Sequence, residues 1–264
     1  MNLLPIQLIS TDFDGTLHAE CEDPPVPLDL QALIGRLQND GAKWVINTGR
    51  DLASLMEGMA RARLTIRPDF LVTVEREIFV HYREEQRYLP SEPWNGDCRG
   101  AHQTLFARVR PDIPRLVEWV ASHFRATVYE DEFSPFCLIA ESNKDADAIQ
   151  LFLEHYCMNF PGLTVVRNDI YARFSHVDYN KGTALREIAR QLNIPRDRIF
   201  AAGDHLNDLP MLSGVYAAHV AAPDNAVPIV KKLVLDQQGY ISHQPWGHGV
   251  ARALEHFVAL NSGR

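Results

Sequence analysis

What most constrains this chain is a rhythm in which short apolar runs of strand length alternate with longer segments whose apolar residues recur at helical spacing. Ile6, Leu8 and Ile9 end abruptly in Thr11-Asp12-Phe13-Asp14-Gly15-Thr16, so a buried strand delivers two carboxylates into a loop. Leu30, Leu33, Ile34 and Leu37 then mark one face of a helix, and Gly41 sits where that helix should stop. Trp44-Val45-Ile46 is a second strand, broken by Asn47-Thr48-Gly49-Arg50. A helix with Leu52, Leu55, Met56 and Met59 follows, and Phe70-Leu71-Val72-Thr73 is a third strand. Strand, helix, strand, helix, strand predicts an α/β fold: a parallel sheet with right-handed crossovers and helices packed on its faces.

The rhythm changes near residue 80, where Pro90, Pro93, Asn95 and Gly96 read as an irregular loop and a domain boundary. Between about 100 and 176 the pattern predicts one helix to about Phe124, strands at Thr127-Val128-Tyr129 and from Phe136 to Ala140, a helix from Ala146 to Tyr156, then strands from Leu163 to Val166 and from Ile170 to Phe174. Consecutive strands joined by short turns imply antiparallel pairing and an α+β module. The parallel rhythm then returns. Ala184, Leu185, Ile188 and Leu192 share a helical face, and Arg198-Ile199-Phe200-Ala201-Ala202 is a strand running into Gly203-Asp204. Val215 to Val220 reads as a further strand, and Ala226 to Lys232 and Val250 to Val258 as helices. The expected division is a core of residues 1–83 and 177–264, with residues 84–176 inserted as a second domain.

Bulk properties exclude several classes of function. No apolar run approaches the roughly 20 residues needed to cross a membrane, and Met1 to Pro5 carries no basic region before an apolar stretch, so a cytoplasmic protein is expected. The four cysteines, Cys21, Cys98, Cys137 and Cys157, have no paired spacing, which argues against a zinc site or a disulfide framework. A formal charge of −8 disfavours a general grip on nucleic acid. An anionic ligand would need local positive charge from a metal or a few selected Lys and Arg side chains.

In an open parallel sheet, ligands bind outside the carboxyl ends of the strands. The predicted strands put Asp12 and Asp14, Thr48, and Asp204 with Asp208 at such ends, so residues distant in sequence converge on one crevice. Carboxylates gathered in this way repel one another unless a cation sits among them, and an oxygen-rich set suits Mg²⁺.

These residues resemble four short motifs of the haloacid dehalogenase superfamily, whose phosphatases carry them at strand ends of a Rossmann-like core. Asp12-Phe13-Asp14-Gly15-Thr16-Leu17 is similar to the nucleophile motif and Asn47-Thr48-Gly49-Arg50 to the second. Lys181-Gly182 is similar to the third, and Gly203-Asp204-His205-Leu206-Asn207-Asp208 to the fourth. The insertion between the second and third motifs resembles the α+β cap of the type IIB, Cof-like branch, which includes sucrose-phosphate phosphatases. Asp224-Asn225-Ala226 and Gly249-Val250-Ala251 resemble elements near the end of Cof-like chains. The resemblance implies a Mg²⁺-dependent phosphatase acting on a small phosphorylated metabolite, a sugar phosphate by analogy to the branch, with neither nucleic acid nor membrane as partner. Asp12 would attack phosphorus to form an aspartyl-phosphate, and Asp14 would protonate the leaving alkoxide and then deprotonate water. Thr48, Gly49, Arg50, Lys181 and Asn207 would bind the phosphate, with Thr48 and Lys181 also counted as catalytic. Asp12, Asp204, Asp208 and the Asp14 backbone carbonyl would hold the metal. The inserted domain would act as a lid, choosing the leaving group through the loops around Glu130 to Pro135 and Asn168-Asp169 and through Arg173.

Each motif taken alone also reads as an ordinary turn or cap, and it is their order and joint placement that favour chemistry. Two rival functions remain open: a phosphomutase or phosphotransferase using the same intermediate, and a phosphosugar-binding sensor without turnover. His18 faces either the crevice or its own loop, His205 solvent or the substrate edge, and Arg50 either substrate or a salt bridge at the helix start. Trp94, Trp119 and Phe133 read as packing or surface aromatics, or as a platform for a sugar ring. One departure stands out: Cof-like chains carry Ser-Asn-Gly after the third core strand, whereas this chain has Thr73-Val74-Glu75-Arg76-Glu77. Glu75 and Arg76 there either change leaving-group preference or build the turn differently.

Overall fold

A computed structural model of the chain describes residues 5–262; the Met1 to Leu4 stretch weighed above for a leader lies outside them. The chain opens with β1 (Leu8–Thr11), α1 (Leu28–Asn39), β2 (Lys43–Asn47), α2 (Leu52–Arg61) and β3 (Phe70–Thr73), the alternation read from the sequence. Two strands that the sequence did not announce follow, β4 (Glu77–Tyr82) and β5 (Arg87–Pro90). They extend the sheet antiparallel from β3, with Thr73 opposite Glu77 and Phe79 opposite Pro90. Their side chains are mostly half-buried or exposed, so they lack the apolar run of a central strand, and the outermost one tolerates a proline.

The chain divides into two compact units, residues 1–91 with 181–264, and residues 92–180. The boundaries lie at Ser91 and Lys181, later than the 83 and 177 expected, because the β4–β5 hairpin belongs to the core sheet. In the second unit, α3 (Trp94–Val109) begins where Pro93, Asn95 and Gly96 suggested loop. Pro93 is the residue before its first turn, where a missing N–H costs nothing, and Glu92 Oε2 accepts from the Gly96 N–H at 2.8 Å. The single helix expected to Phe124 is two: a short 3₁₀ turn containing Pro111 separates α3 from α4 (Ile113–His123). Then come β6 (Ala126–Tyr129), β7 (Cys137–Ala140), α5 (Asn143–Cys157), β8 (Leu163–Asn168) and β9 (Tyr171–His176). The four strands form an antiparallel sheet in the order β6-β7-β9-β8. One face of it packs Leu138, Ala172 and Phe174 against Leu105, Leu116, Ile149 and Leu153 of the helices. Trp119 is part of this packing, stacked on Phe152 with ring centroids 3.5 Å apart.

The chain returns to the first unit with α6 (Lys181–Leu192), β10 (Ile199–Ala202), α7 (Leu209–Leu212), β11 (His219–Ala222), α8 (Pro228–Asp236), β12 (Tyr240–Ile241) and α9 (Trp246–Ser262). The strand expected from Val215 to Val220 starts only at His219, since Val215 is exposed in a turn. Among the described residues the core sheet has eight strands in the order β12-β11-β10-β1-β2-β3-β4-β5, parallel from β12 to β3. Ile9, Trp44, Ile46, Leu71 and Phe200 are buried between its helices, and the Trp44 indole N–H donates to Thr11 Oγ1 at 3.1 Å. Among the described residues, no helix is long and apolar enough to cross a membrane.

Register makes the site. Thr11 pairs with Ile46 on one side and Ala202 on the other, so β1, β2 and β10 end nearly level. The Asp12 N–H donates to the Ala202 carbonyl at 3.0 Å, and the Thr48 N–H to the Val72 carbonyl at 2.9 Å. The residues just beyond the carboxyl ends of neighbouring parallel strands are thereby brought side by side.

Candidate active site

The centre of the site is a buried ammonium between carboxylates. Lys181, wholly buried at the first position of α6, donates to Asp12 Oδ1 and to Asp208 Oδ1, each at 2.6 Å. Its own backbone carbonyl accepts from Asn47 Nδ2 at 3.0 Å, which ties α6 to the end of β2. The second oxygen of Asp208 accepts from the backbone N–H groups of Asp204 and His205 at 2.8 and 2.9 Å. Asp208 therefore closes the 203–208 turn while anchoring the lysine. Gly203 is required there, since a Cβ on it would lie 2.5 Å from the Asp208 Cβ.

Asp204 joins Asp12 and Asp208 in one cluster. Its Oδ1 accepts from Thr16 Oγ1 at 2.7 Å, and Gly15 next to it has φ +78, with its missing Cβ 2.5 Å from Asp204 Oδ2. Only glycine combines that backbone with that clearance. Asn225 fixes the loop from outside: its Nδ2 donates to the Gly15 carbonyl at 2.7 Å, and its Oδ1 accepts from the Trp246 N–H.

Carboxyl oxygens of Asp12, Asp204 and Asp208 lie within 4.8 Å of one another. Three carboxyl groups thus face a single ammonium, and the electrostatics register the imbalance. Burial pushes the Asp12 carboxyl well above its ordinary range; Lys181 opposes this, while Asp208 and Asp204 add to it. Burial together with the charge of Asp208 lifts Asp204 to about 7, against the Thr16 hydrogen bond. Burial would lower Lys181, but the charges of Asp12 and Asp208 outweigh it and hold the ammonium protonated. Mg²⁺ fits this set: every donor is an oxygen, the charge deficit is positive, and Mg²⁺–O bonds of 2.0–2.1 Å put opposing ligands about 4 Å apart.

Asp14 lies apart from that cluster, and the reason is Arg50. The guanidinium donates through Nε to Asp14 Oδ2 and through Nη2 to Oδ1, both at 2.6 Å, in a two-pronged pair. The arginine is braced by the Ser54 carbonyl and lies over the Phe13 ring, and Gly58 on α2 leaves it room. His18 Nδ1 is 3.7 Å from Asp14 Oδ1, and its ring stacks on Phe13. Burial would raise the Asp14 carboxyl, but His18 close by and the Arg50 hydrogen bonds and charge prevail and hold it down at about 2. Of the openings left by the sequence, Arg50 is thus in a salt bridge, but with Asp14 rather than at its own helix start, and His18 faces the first loop's carboxylate.

Thr48 is buried just past the end of β2, its Oγ1 accepting from the Arg50 N–H at 3.2 Å and its carbonyl from the Glu75 N–H at 2.9 Å. Gly49 stands next to Glu75, whose Oε1 would be 3.2 Å from a Cβ there. Asn207 is buried and donates from Nδ2 to Glu75 Oε1 at 3.1 Å. Thr16, Asn47 and Asn225 are site residues to which sequence reasoning gave no role of their own, and Glu75, left open there, is found against Gly49 and Asn207. Their signal is a partner tens to hundreds of residues away, which no local pattern displays.

Comparison with known proteins follows the same lines. A family model described as haloacid dehalogenase-like hydrolase matches residues 121–254. A phosphoglycolate phosphatase of Methanothrix thermoacetophila is 33% identical over 115 residues, which cover 44% of this chain and 48% of the relative. A glucosylglycerol-phosphate synthase of Pseudomonas anguilliseptica is 28% identical over 215 residues, 79% of this chain but 25% of that protein. The chain thus matches half or less of the length of either relative. The sucrose-phosphatase of Synechocystis, solved with sucrose and phosphate, superposes with a TM-score of 0.72 at 16% identity, over 97% of this chain and 98% of that one.

Proposed function

The chain belongs to the haloacid dehalogenase-like hydrolases, and on that premise we propose that it is a Mg²⁺-dependent phosphatase that cleaves a small phosphate monoester through an aspartyl-phosphate on Asp12. The observation that carries the reading is the Lys181 ammonium held 2.6 Å from both Asp12 and Asp208, with Asp204 alongside. One oxygen of Asp12 is fixed by the lysine, which orients the carboxylate. Its attack forms an oxygen–phosphorus bond as the bond to the leaving alkoxide breaks, and Asp14 supplies the alkoxide's proton. Water then attacks the same phosphorus, gives its proton to Asp14, and releases inorganic phosphate and the free Asp12 carboxylate. Lys181 and Thr48 counter the charge on the phosphoryl oxygens throughout.

Asp12, Asp204 and Asp208, with the Asp14 carbonyl by resemblance to the family, would hold the Mg²⁺. When bound, the ion offsets the carboxylate charge and that of the phosphate. Asp14 is ionised at rest and gripped by Arg50, so the first half-reaction requires that grip to open and the carboxyl to take up a proton. The relatives named for phosphoglycolate and glucosylglycerol phosphate support a small phosphorylated metabolite as substrate, and within that class we favour a sugar phosphate. The test is phosphate release from a panel of phosphorylated sugars and nucleotides with Mg²⁺ and with EDTA. Asp12→Asn is expected to abolish release while the circular-dichroism spectrum is unchanged, and turnover persisting in this variant refutes the nucleophile.

A further inference from the structure

The turn after β3 is where this chain leaves its family's pattern, and it is built at a cost. Val74 and Glu75 have φ of 44 and 69. Two successive left-handed residues are ordinarily supplied by Asn-Gly, and a β-branched valine is among the poorest choices. The turn is held by hydrogen bonds to the phosphate-loop backbone: the Val74 N–H donates to the Arg50 carbonyl at 2.8 Å and the Glu75 N–H to the Thr48 carbonyl at 2.9 Å. A strained backbone so pinned points to a function for the side chain it presents. That side chain is a carboxylate, 6% exposed, lying over Gly49 and accepting from Asn207 Nδ2.

The other end of the same amide is unusual. Asn207 is also 6% exposed, and among the described residues its Oδ1 has no hydrogen-bond partner. An amide can turn either end toward a neighbour, but a carboxylate accepts only, so Glu75 decides that the NH₂ faces it and the oxygen faces away. A buried acceptor without a donor is costly, and in a functional site the donor arrives with what is bound. We infer that Glu75 is a positioning residue: it orients the Asn207 amide so that Oδ1 accepts a hydrogen bond from the water or hydroxyl that stands on phosphorus during turnover. This rests on the phosphatase reading. It also reverses the part expected of Asn207, which becomes an acceptor for that O–H rather than a donor to a phosphoryl oxygen.

Four proteins test it. In Glu75→Gln, the side-chain oxygen still accepts from Asn207 Nδ2, so kcat on p-nitrophenyl phosphate should stay within about threefold of wild type. Glu75→Gly removes the acceptor and should lower kcat about tenfold with KM nearly unchanged, the range seen when an outer partner of a site residue is lost. Glycine accepts φ 69 without strain, so its melting temperature should equal or exceed that of wild type, which separates positioning from folding. In an Asn207→Ala background, Glu75→Gly should have no further effect. The inference is overturned if Glu75→Gln falls as far as Glu75→Gly, if the glycine variant keeps wild-type kcat, or if its effect is undiminished beside Asn207→Ala. The same ranking should appear in the affinity for orthovanadate with Mg²⁺, measured by calorimetry. A wild-type protein without turnover would sink the phosphatase reading, and the vanadate affinities would still decide this one.

Discussion

Asn in place of Asp204 should make the metal-free protein more stable, although Asp204 is a site residue. In the fold its carboxyl is lifted from 3.8 to about 7 by burial and by Asp208. At about 1.4 kcal/mol per pH unit, that is roughly 4 kcal/mol by which the folded state prefers the protonated form. The sign follows from proton binding: the native state holds the proton more tightly than the unfolded chain. Stability is therefore greatest below about pH 4, declines through the interval to pH 7, and has lost the full amount above it. An amide cannot ionise, yet keeps an oxygen for the Thr16 hydroxyl. Differential scanning calorimetry in EDTA should find Asp204→Asn more stable than wild type at pH 8 by about 4 kcal/mol, or at least about 5 °C for a chain of this size, with the gap narrowing by pH 5. Mg²⁺ at a hundred times its dissociation constant should return about 2.7 kcal/mol to wild type and little to the variant. If Asp204→Asn is no more stable than wild type at pH 8 without metal, the proposed charge imbalance is wrong.

Lys181→Met keeps the volume of the side chain but leaves Asp12 and Asp208 without their buried counter-ion; a loss of about 3–5 kcal/mol is expected in urea unfolding at pH 7, along with activity. A loss under 1 kcal/mol would show that the pair contributes nothing net. Arg50→Ala removes the two-pronged partner of Asp14, so burial is opposed by His18 alone and the carboxyl should titrate well above 2. Carbon-13 NMR of that carboxyl in the metal-free protein measures it directly, and a midpoint still near 2 would put the cause elsewhere.

The gathering of Asp12, Lys181, Asp204 and Asp208 at one place was legible because each stands at a strand or helix end, and those ends are marked by abrupt changes from apolar to Asp, Asn and Gly. The β4–β5 hairpin was not legible for the opposite reason. An edge strand with one wet face carries Tyr82, Arg83, Glu84, Glu85 and Gln86 around its turn, a composition that loops share. Arg50 shows a second limit. Its place at the start of α2 suggested a local salt bridge, but its partner is 36 residues earlier, and only the register of β1 against β2 brings them together. The helping residues Thr16, Asn47 and Asn225 are of common types in common turns. What distinguishes them is the identity of a distant partner, which pattern alone does not carry.

The place where the chain comes back to the core has a consequence for how such proteins diversify. The inserted unit ends at Asn180, and the next residue is Lys181, immobilised by two carboxylates and by Asn47 on its carbonyl. The splice point is therefore a residue already held by its side chain and by its carbonyl. Whatever stretch of chain is installed between Ser91 and Lys181, natural or engineered, must deliver its last peptide bond to one fixed atom position. On the proposed reading, transplanting the 92–180 segment from a relative should shift substrate preference while the core keeps its fold.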